Sequence, residues 1–127
     1  MSRSVNKIIL VGHVGRDPEM RETRNGTKVA NFSLATNHRV PDDGDGFREK
    51  TDWHRVTVWS RLAQFAEEYI EKGDRVYLEG RLEYDTYDRD GVTIPTAEVH
   101  AREVVLLSPP NDSAEPVAED SAEPAAL

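Results

Sequence analysis

The sequence predicts a small all-β domain in which five strands form a barrel and one short helix lies between the third and fourth strands. Three observations favour this fold: β-branched and aromatic runs separated by glycine-containing turns, a single helical stretch after Ser60, and a length of 127 residues without cysteine. A chain of this length buries a core without disulfides. The absence of cysteine also excludes thiolate metal sites and thiol catalysis.

The first two predicted strands come from the N-terminal third of the chain. Residues 5–14, VNKIILVGHV, carry apolar side chains on both faces, which indicates a central or interface position. Asp17-Pro18 interrupts this pattern, and Asn25-Gly26 predicts a hairpin turn into a second strand over about 29–36. Residues 41–50, PDDGDGFREK, are expected to form a polar loop.

The third predicted strand, residues 51–59, reads TDWHRVTVW and contains both tryptophans of the chain. Successive side chains of a strand point to opposite faces. One face therefore carries Trp53, Arg55, Thr57 and Trp59, and the other carries His54, Val56 and Val58. Two interpretations stay open here: a strand buried on both faces, or an open platform on which the bases of single-stranded nucleic acid stack.

A helix and two further strands complete the predicted domain. Apolar residues recur at helical spacing from Leu62 to Ile70, and Gly73 follows as a stop signal. Residues 75–87 and about 93–107 are strands joined by a turn at Asp90-Gly91. This order is typical of the OB-fold, a five-stranded Greek-key barrel that binds oligonucleotides and oligosaccharides, with another small antiparallel barrel as the alternative.

The charge of the chain is unevenly distributed. Residues 109–127 contain five acidic and no basic side chains and are rich in proline and alanine, which predicts a disordered tail after a folded domain over 1–108. The net charge of −8 falls to −3 over residues 1–108, and residues 1–61 carry +3. The positive part of the chain therefore contains the tryptophans.

Enzymatic and membrane functions find little support in the sequence. The four histidines lack metal-ligand spacing, and there is no phosphate-binding GxxxxGK[ST] motif. The N-terminus has no signal-peptide apolar region, and the apolar run IILV is too short to cross a membrane, so a cytoplasmic location is expected. The one enzymatic alternative is a metal-dependent nuclease that uses Asp42, Asp43 and Asp45.

Four segments in register resemble the bacterial single-stranded DNA-binding proteins. They are VNKIILVGHVGRDPEMR, VANFSLAT, TDWHRVTVW and KGDRVYLEGRL, and the resemblance spans about residues 1–107. It implies an OB-fold homotetramer, without catalytic residues, metal or cofactor, that binds single-stranded DNA at the nucleoid during replication, recombination and repair. It also implies an acidic tail that recruits replication and repair proteins.

The resemblance assigns roles to individual residues. Trp53, Trp59 and Tyr87 match positions whose aromatic rings stack on bases. Basic positions able to meet phosphates are matched by Arg3, Lys7, Arg21, Arg55, Arg61 and Lys72. It places His54 at the subunit interface, with a packed neutral histidine as the alternative. Independently of the resemblance, the apolar side chains on both faces of the first strand predict that residues 5–11, including Ile8 and Leu10, contribute to a homotetramer interface.

Three departures from the family pattern limit what the resemblance implies. Val40 stands where the family often has another tryptophan, and Glu83 and Asp85 replace residues that are often basic. The chain ends in Ala-Ala-Leu rather than in an acidic run that closes with Pro-Phe, which places recruitment of partners by the tail in doubt. The alternative function is that of an OB-fold replication accessory factor that keeps the platform but acts mainly through protein contacts.

Overall fold

The computed structural model describes residues 3–44 and 46–108, which form six strands and one helix. The predicted tail over 109–127 lies outside the described residues. The elements are β1 (Ile8–Val14), β2 (Glu19–Glu22), β3 (Lys28–Pro41), β4 (Phe47–Trp59), α1 (Arg61–Tyr69), β5 (Arg75–Arg89) and β6 (Val92–Leu106).

Five of these strands close into a barrel. The sheet order is β1-β5-β6-β4-β3-β2, and an additional pairing of β1 with β3 joins the two ends of the five-stranded part. Gly12 allows this closure, because a β-carbon there would overlap the carbonyl oxygen of Ala35 on β3. The helix lies between β4 and β5, the third and fourth predicted strands, so the predicted all-β OB-fold is confirmed.

Two local features differ from the sequence-based expectation. The strand β2 was not predicted, because Glu19–Glu22 is a polar, largely exposed segment without alternation that pairs only with β3. The predicted loop over 41–50 is shorter, since Phe47 to Lys50 belong to β4 and pair with β3 between His38 and Pro41. Each segment has one apolar residue, Met20 or Phe47, so neither shows the repeated apolar alternation that sequence patterns detect.

The core fills the barrel and is covered at one end by the helix. Phe32, Val56 and Leu78, from three different strands, are each at most 2% exposed. The helix contributes Ala63 and Ala66, whose small side chains allow it to lie close to the barrel. The opposite face of each strand is therefore left for other contacts.

Both predicted turns place a glycine at a positive φ angle. Gly26 has a φ of 87° in the turn from β2 to β3, and its amide donates to the carbonyl oxygen of Thr23 at 2.9 Å. Asp90 and Gly91 have φ values of 54° and 80°, which is the combination that a two-residue type I′ hairpin requires. This turn sets the register of the long β5–β6 hairpin.

Candidate nucleic-acid interface

The tryptophan face of β4 is open to solvent. Trp53 is 60% exposed and Trp59 is 40% exposed, whereas Val56 and Val58 on the other face are buried in the core. The exposed indoles exclude the interpretation in which both faces of this strand are buried. The chain thus presents two large flat apolar side chains on a rigid strand.

Small side chains on β3 leave the tryptophan rings accessible. Ala35 lies opposite Trp53, and Ser33 lies opposite Arg55, on the same face of the sheet. Gly15, just after β1, lies against the Cζ3 and Cη2 atoms of Trp53, and a β-carbon at this position would overlap Cζ3. The ring of Trp53 therefore packs against a backbone position that has no side chain.

A chain of hydrogen bonds crosses the same face from β3 to β6. Asn31 Nδ2 donates to Thr57 Oγ1 at 2.7 Å, and Thr57 Oγ1 donates to Glu98 Oε1 at 3.1 Å. His100 Nε2 lies 3.2 Å from the same carboxylate oxygen, and Trp59 Nε1 lies 3.4 Å from His100 Nδ1. Trp59 is thus linked through two side chains to the buried Thr57.

A groove of about 390 Å³ lies between β4 and the β5–β6 hairpin. Its lining includes Arg55, Tyr84 and Tyr87, and the two tyrosines are 72% and 47% exposed. Its acidic lining residues are Glu83, Asp85 and Glu98. Arg81 pairs with Glu83 at 2.6 Å, which neutralises one of these carboxylates. The groove therefore combines aromatic rings and an arginine with three carboxylates.

Among the other predicted cations, Arg21 lies beside the tryptophan face. Its Nε donates to Asn31 Oδ1 at 3.3 Å. Arg21 pairs with Val29, and Val29 pairs with Trp59, so the three residues form a row across β2, β3 and β4. Arg21 therefore lies at the Trp59 side of the platform, whereas Arg55 lies between the two tryptophans on β4.

The remaining predicted cations lie at separate places on the surface. Lys7 forms an ion pair with Glu79 at 3.3 Å. Arg61 begins α1 and lines a groove with Phe65 and other helix residues. The backbone amide of Lys72 donates to Asp17 Oδ1 at 2.9 Å. Arg3 and the side chains of Arg61 and Lys72 are exposed.

A second apolar surface lies on the outer side of β1, β5 and β6. Val11 pairs with Tyr77, and Tyr77 pairs with Val105, so these residues lie side by side across three strands. Val11 is 38% exposed, Val105 is 42% exposed, and Ile9 on β1 is 54% exposed. We refer to Ile9, Val11, Tyr77 and Val105 as the β1 patch.

Hydrogen bonding at the edge of the β1 patch shifts two pKa values. Tyr77 Oη donates to Glu79 Oε2 at 2.6 Å. This hydrogen bond, together with the one from Lys7, lowers the pKa of Glu79, and the same contact with Glu79 raises the pKa of Tyr77. Elsewhere, the hydrogen bond to Glu67 raises the pKa of Lys28.

The predicted interface residues of β1 face inward in the single chain. Ile8 and Leu10 are half-buried and pack against the core, so the outward apolar residues of this strand are Ile9 and Val11. His54 is half-buried, and its Nε2 lies 2.9 Å from Thr36 Oγ1. A role of Ile8, Leu10 and His54 in subunit contact stays a prediction.

Within residues 3–44 and 46–108, no group of three or more His, Asp or Glu side chains is arranged to hold a metal ion. Asp42 and Asp43 lie in the turn between β3 and β4, and Asp45 is outside the described residues. In the same part of the chain, no helix is long and apolar enough to span a membrane.

Sequence reasoning missed the residues that hold the platform in place. Glu98 and His100 lie two positions apart on β6, which places them on one face, but their contact with β4 requires the parallel pairing of Thr57 with His100. The role of Gly15 likewise depends on the approach of β1 to β3. The usable signal in the sequence was the polar–apolar–polar alternation of Glu98, Val99 and His100.

The model of the single-strand binding protein family matches residues 5–107 of this chain. The chain belongs to this family. It is 46% identical over 88 residues to single-stranded DNA-binding protein 1 of Chlorobaculum tepidum, covering 69% of this chain and 54% of that protein. It is 40% identical over 111 residues to the single-stranded DNA-binding protein of Neisseria meningitidis, covering 87% of this chain and 64% of that one.

The structural comparison agrees with the family assignment. A Plasmodium falciparum SSB in complex with single-stranded DNA matches with a TM-score of 0.78 and 33% identity, covering 85% of this chain and 99% of that one. The matched region spans about half to two-thirds of the curated relatives' length. Its extent agrees with the resemblance seen in the sequence over about 1–107.

Proposed function

We propose that this member of the single-strand binding protein family binds single-stranded DNA without sequence preference. The observation that carries the proposal is the pair of exposed tryptophans on β4 with Arg55 between them. Each base offers a flat face to an indole, and each phosphate offers a charge to a guanidinium. The DNA-bound Plasmodium falciparum structure and the names of the relatives support the same function.

The residues of the platform have different roles in this proposal. Trp53 and Trp59 stack on bases, and Tyr87 adds a third ring across the groove. Arg55 and Arg21 neutralise phosphates next to the platform. Single-stranded DNA that continues around the protein contacts the more distant cations, which are Arg3, Lys7, Arg61 and Lys72. Glu83 and Asp85 weaken the interaction at the hairpin.

The proposed assembly is a homotetramer, and the β1 patch is one of its contacts. A barrel has one interior, yet β1 carries Ile9 and Val11 on its outer face as well as inward apolar residues. Burial of such a patch against another copy removes apolar surface from water, at about 25 cal/mol per Å². Assembly also brings the distant cations of several copies onto one DNA path.

The proposed function is binding and protection of DNA during replication, recombination and repair, without catalysis. Residues 1–108 form the binding domain, and residues 109–127 form an acidic tail that competes with phosphates for the cations. Ending the chain after Ser108 should then strengthen binding at low salt and have less effect at high salt, where charges are screened. Recruitment of replication and repair proteins by the tail is a further part of this proposal.

A titration of the full chain with oligothymidine tests the proposal. Both tryptophans lie on the proposed platform, so stacking should quench most of the indole fluorescence at a saturable stoichiometry. Labelled strand incubated with magnesium should be shifted but not cleaved. Binding without quenching would contradict the platform, cleavage would favour the nuclease, and absence of binding would favour an accessory factor.

A further inference from the structure

The hydrogen bonds around His100 require one tautomer of its ring. The indole nitrogen of Trp59 is always a donor, and it lies 3.4 Å from His100 Nδ1. The Nδ1 atom must therefore be without a proton to accept this bond. The single proton of the neutral ring is then on Nε2, which lies 3.2 Å from the carboxylate oxygen of Glu98 and donates to it.

Glu98 is itself held in position from the sheet. Thr57, which is 2% exposed, donates to the same oxygen of Glu98 at 3.1 Å, and Asn31 donates to Thr57 at 2.7 Å. Two chains of donors, one from Asn31 and one from Trp59, therefore end on a single carboxylate. Each donor hydrogen in this network has an acceptor only while Nδ1 of His100 carries no proton.

We propose that neutral His100 is a positioning residue that fixes the ring of Trp59 for base stacking, and that protonation of His100 releases the ring. The proposal rests on the proposed function for its effect on DNA. A protonated imidazole carries hydrogens on both nitrogens. The Nδ1 hydrogen would then face the indole hydrogen, and the bond between the two rings would be lost, whereas the contact with Glu98 would remain.

The charged groups around His100 determine how protonation acts on DNA. Arg55 approaches from β4, Arg81 is the cross-strand partner of His100 on β5, and Glu98 precedes it on β6. Glu83 and Asp85 line the same groove, whereas Arg102 lines a different pocket beside Lys7. The positive charge added by protonation attracts phosphates and raises the affinity for DNA, whereas release of the Trp59 ring lowers it. High salt screens the attraction to phosphates but does not change the effect of the released ring.

Nuclear magnetic resonance of the free protein tests the geometry without DNA. The nitrogen shifts of the His100 ring should identify the Nε2–H tautomer at pH 8. The indole N–H signal of Trp59, identified by comparison with Trp53→Phe, should move towards that of a free indole as the pH is lowered from 8 to 5. The proposal would be overturned by an Nδ1–H tautomer at pH 8, or by an indole N–H signal of Trp59 that does not change between pH 8 and 5.

The effect on function is tested by measuring binding to oligothymidine at about 0.5 M salt. At this concentration, charges are screened within about 3 to 8 Å. The affinity of the unmodified chain should fall about two- to tenfold from pH 8 to 5.5, as expected for one hydrogen bond. His100→Val removes the acceptor and should bind at pH 8 as weakly as the unmodified chain does at pH 5.5. His100→Asn keeps an oxygen acceptor near the Nδ1 position and should retain the affinity but lose the response to pH.

A matched control is His38→Gln. His38 also faces a carboxylate, with its Nδ1 3.6 Å from Asp52 Oδ2, but lies on β3. This variant should keep the full response to pH. If His100→Val binds like the unmodified chain at pH 8, or if His38→Gln abolishes the response, the positioning role is wrong while the proposed function stands. If none of the proteins binds DNA, the proposed function fails and the resonance experiment still decides the geometry.

Discussion

The ring of Trp53 lies on Gly15, and no side chain other than hydrogen fits between them. A β-carbon at Gly15 would overlap Cζ3 of the indole and would also crowd Ser33 Oγ. Trp53 is 60% exposed, so its outer ring face remains free while its inner edge is supported. A glycine at the end of β1 therefore determines the position of an aromatic ring on β4.

Gly15→Ala should weaken DNA binding by displacing this ring. We expect a loss of about threefold or more in affinity, a part of the 1 to 3 kcal/mol that stacking contributes per base. Gly44→Ala is the matched control, because a β-carbon at Gly44 meets no atom within 4 Å. In a Trp53→Ala background, Gly15→Ala should have no further effect. Equal losses in both backgrounds would show that Gly15 acts elsewhere.

Trp53→Ala and Trp59→Ala should each lower the affinity for oligothymidine about tenfold, since each removes one stacking surface worth roughly 1 to 3 kcal/mol. Trp59→Ala should lower the free energy of unfolding more than Trp53→Ala, because Trp59 is the less exposed ring. Tyr69→Ala removes an aromatic ring that is 56% exposed on α1 and should leave binding unchanged. An equal loss in Tyr69→Ala would mean that the platform is not where bases stack.

Asp85→Asn should strengthen DNA binding, because it removes a negative charge from the groove that contains Arg55 and Tyr87. The gain should be largest at low salt and should decline as screening increases. Glu68→Gln makes the same change in net charge on α1 and should have a smaller effect. Binding curves of the two variants across salt concentrations check this. Equal gains would indicate that only the net charge matters.

Val11→Lys should break the proposed tetramer, because it places a charge in the centre of the β1 patch, next to Tyr77. Light scattering at micromolar concentration should show a smaller mass with the barrel still folded. Val92→Lys adds the same charge at the first residue of β6, which is 59% exposed, and should leave the mass unchanged. A stable monomer in the unmodified chain would contradict the assembly itself.

The lowered pKa of Glu79 predicts a dependence of stability on pH. Hydrogen bonds from Tyr77 and Lys7 favour the carboxylate in the folded state. The stabilisation is therefore present above the unfolded pKa and is lost as pH falls through the lower, folded pKa. Thermal unfolding of the unmodified chain and of Glu79→Gln should differ at pH 7 and converge in acid. If the two proteins still differ in thermal stability in acid, where the carboxyl of Glu79 is protonated, the hydrogen bonds to its carboxylate are not the cause of the difference.

Much of the fold follows from patterns within single segments. The alternation of Val56 and Val58 with Trp53 and Trp59 predicted one core face and one aromatic face, and the structure has both. The Asn25-Gly26 and Asp90-Gly91 turns were also predicted, because Asn-Gly and Asp-Gly pairs favour tight turns. Short polar segments such as β2, whose one apolar residue is Met20, carry no repeated pattern, so they were missed.

The sequence by itself determined the order of the five barrel strands and the helix, and the face that carries the tryptophans, because these depend on periodicity and turn chemistry within short stretches of chain. Tertiary structure alone decided which residues support that face. Gly15 lies against Trp53 only because β1 approaches β3, and His100 meets Trp59 only because β4 and β6 pair in parallel. These contacts join residues about 40 positions apart, and the register between strands, which no local pattern contains, brings them together.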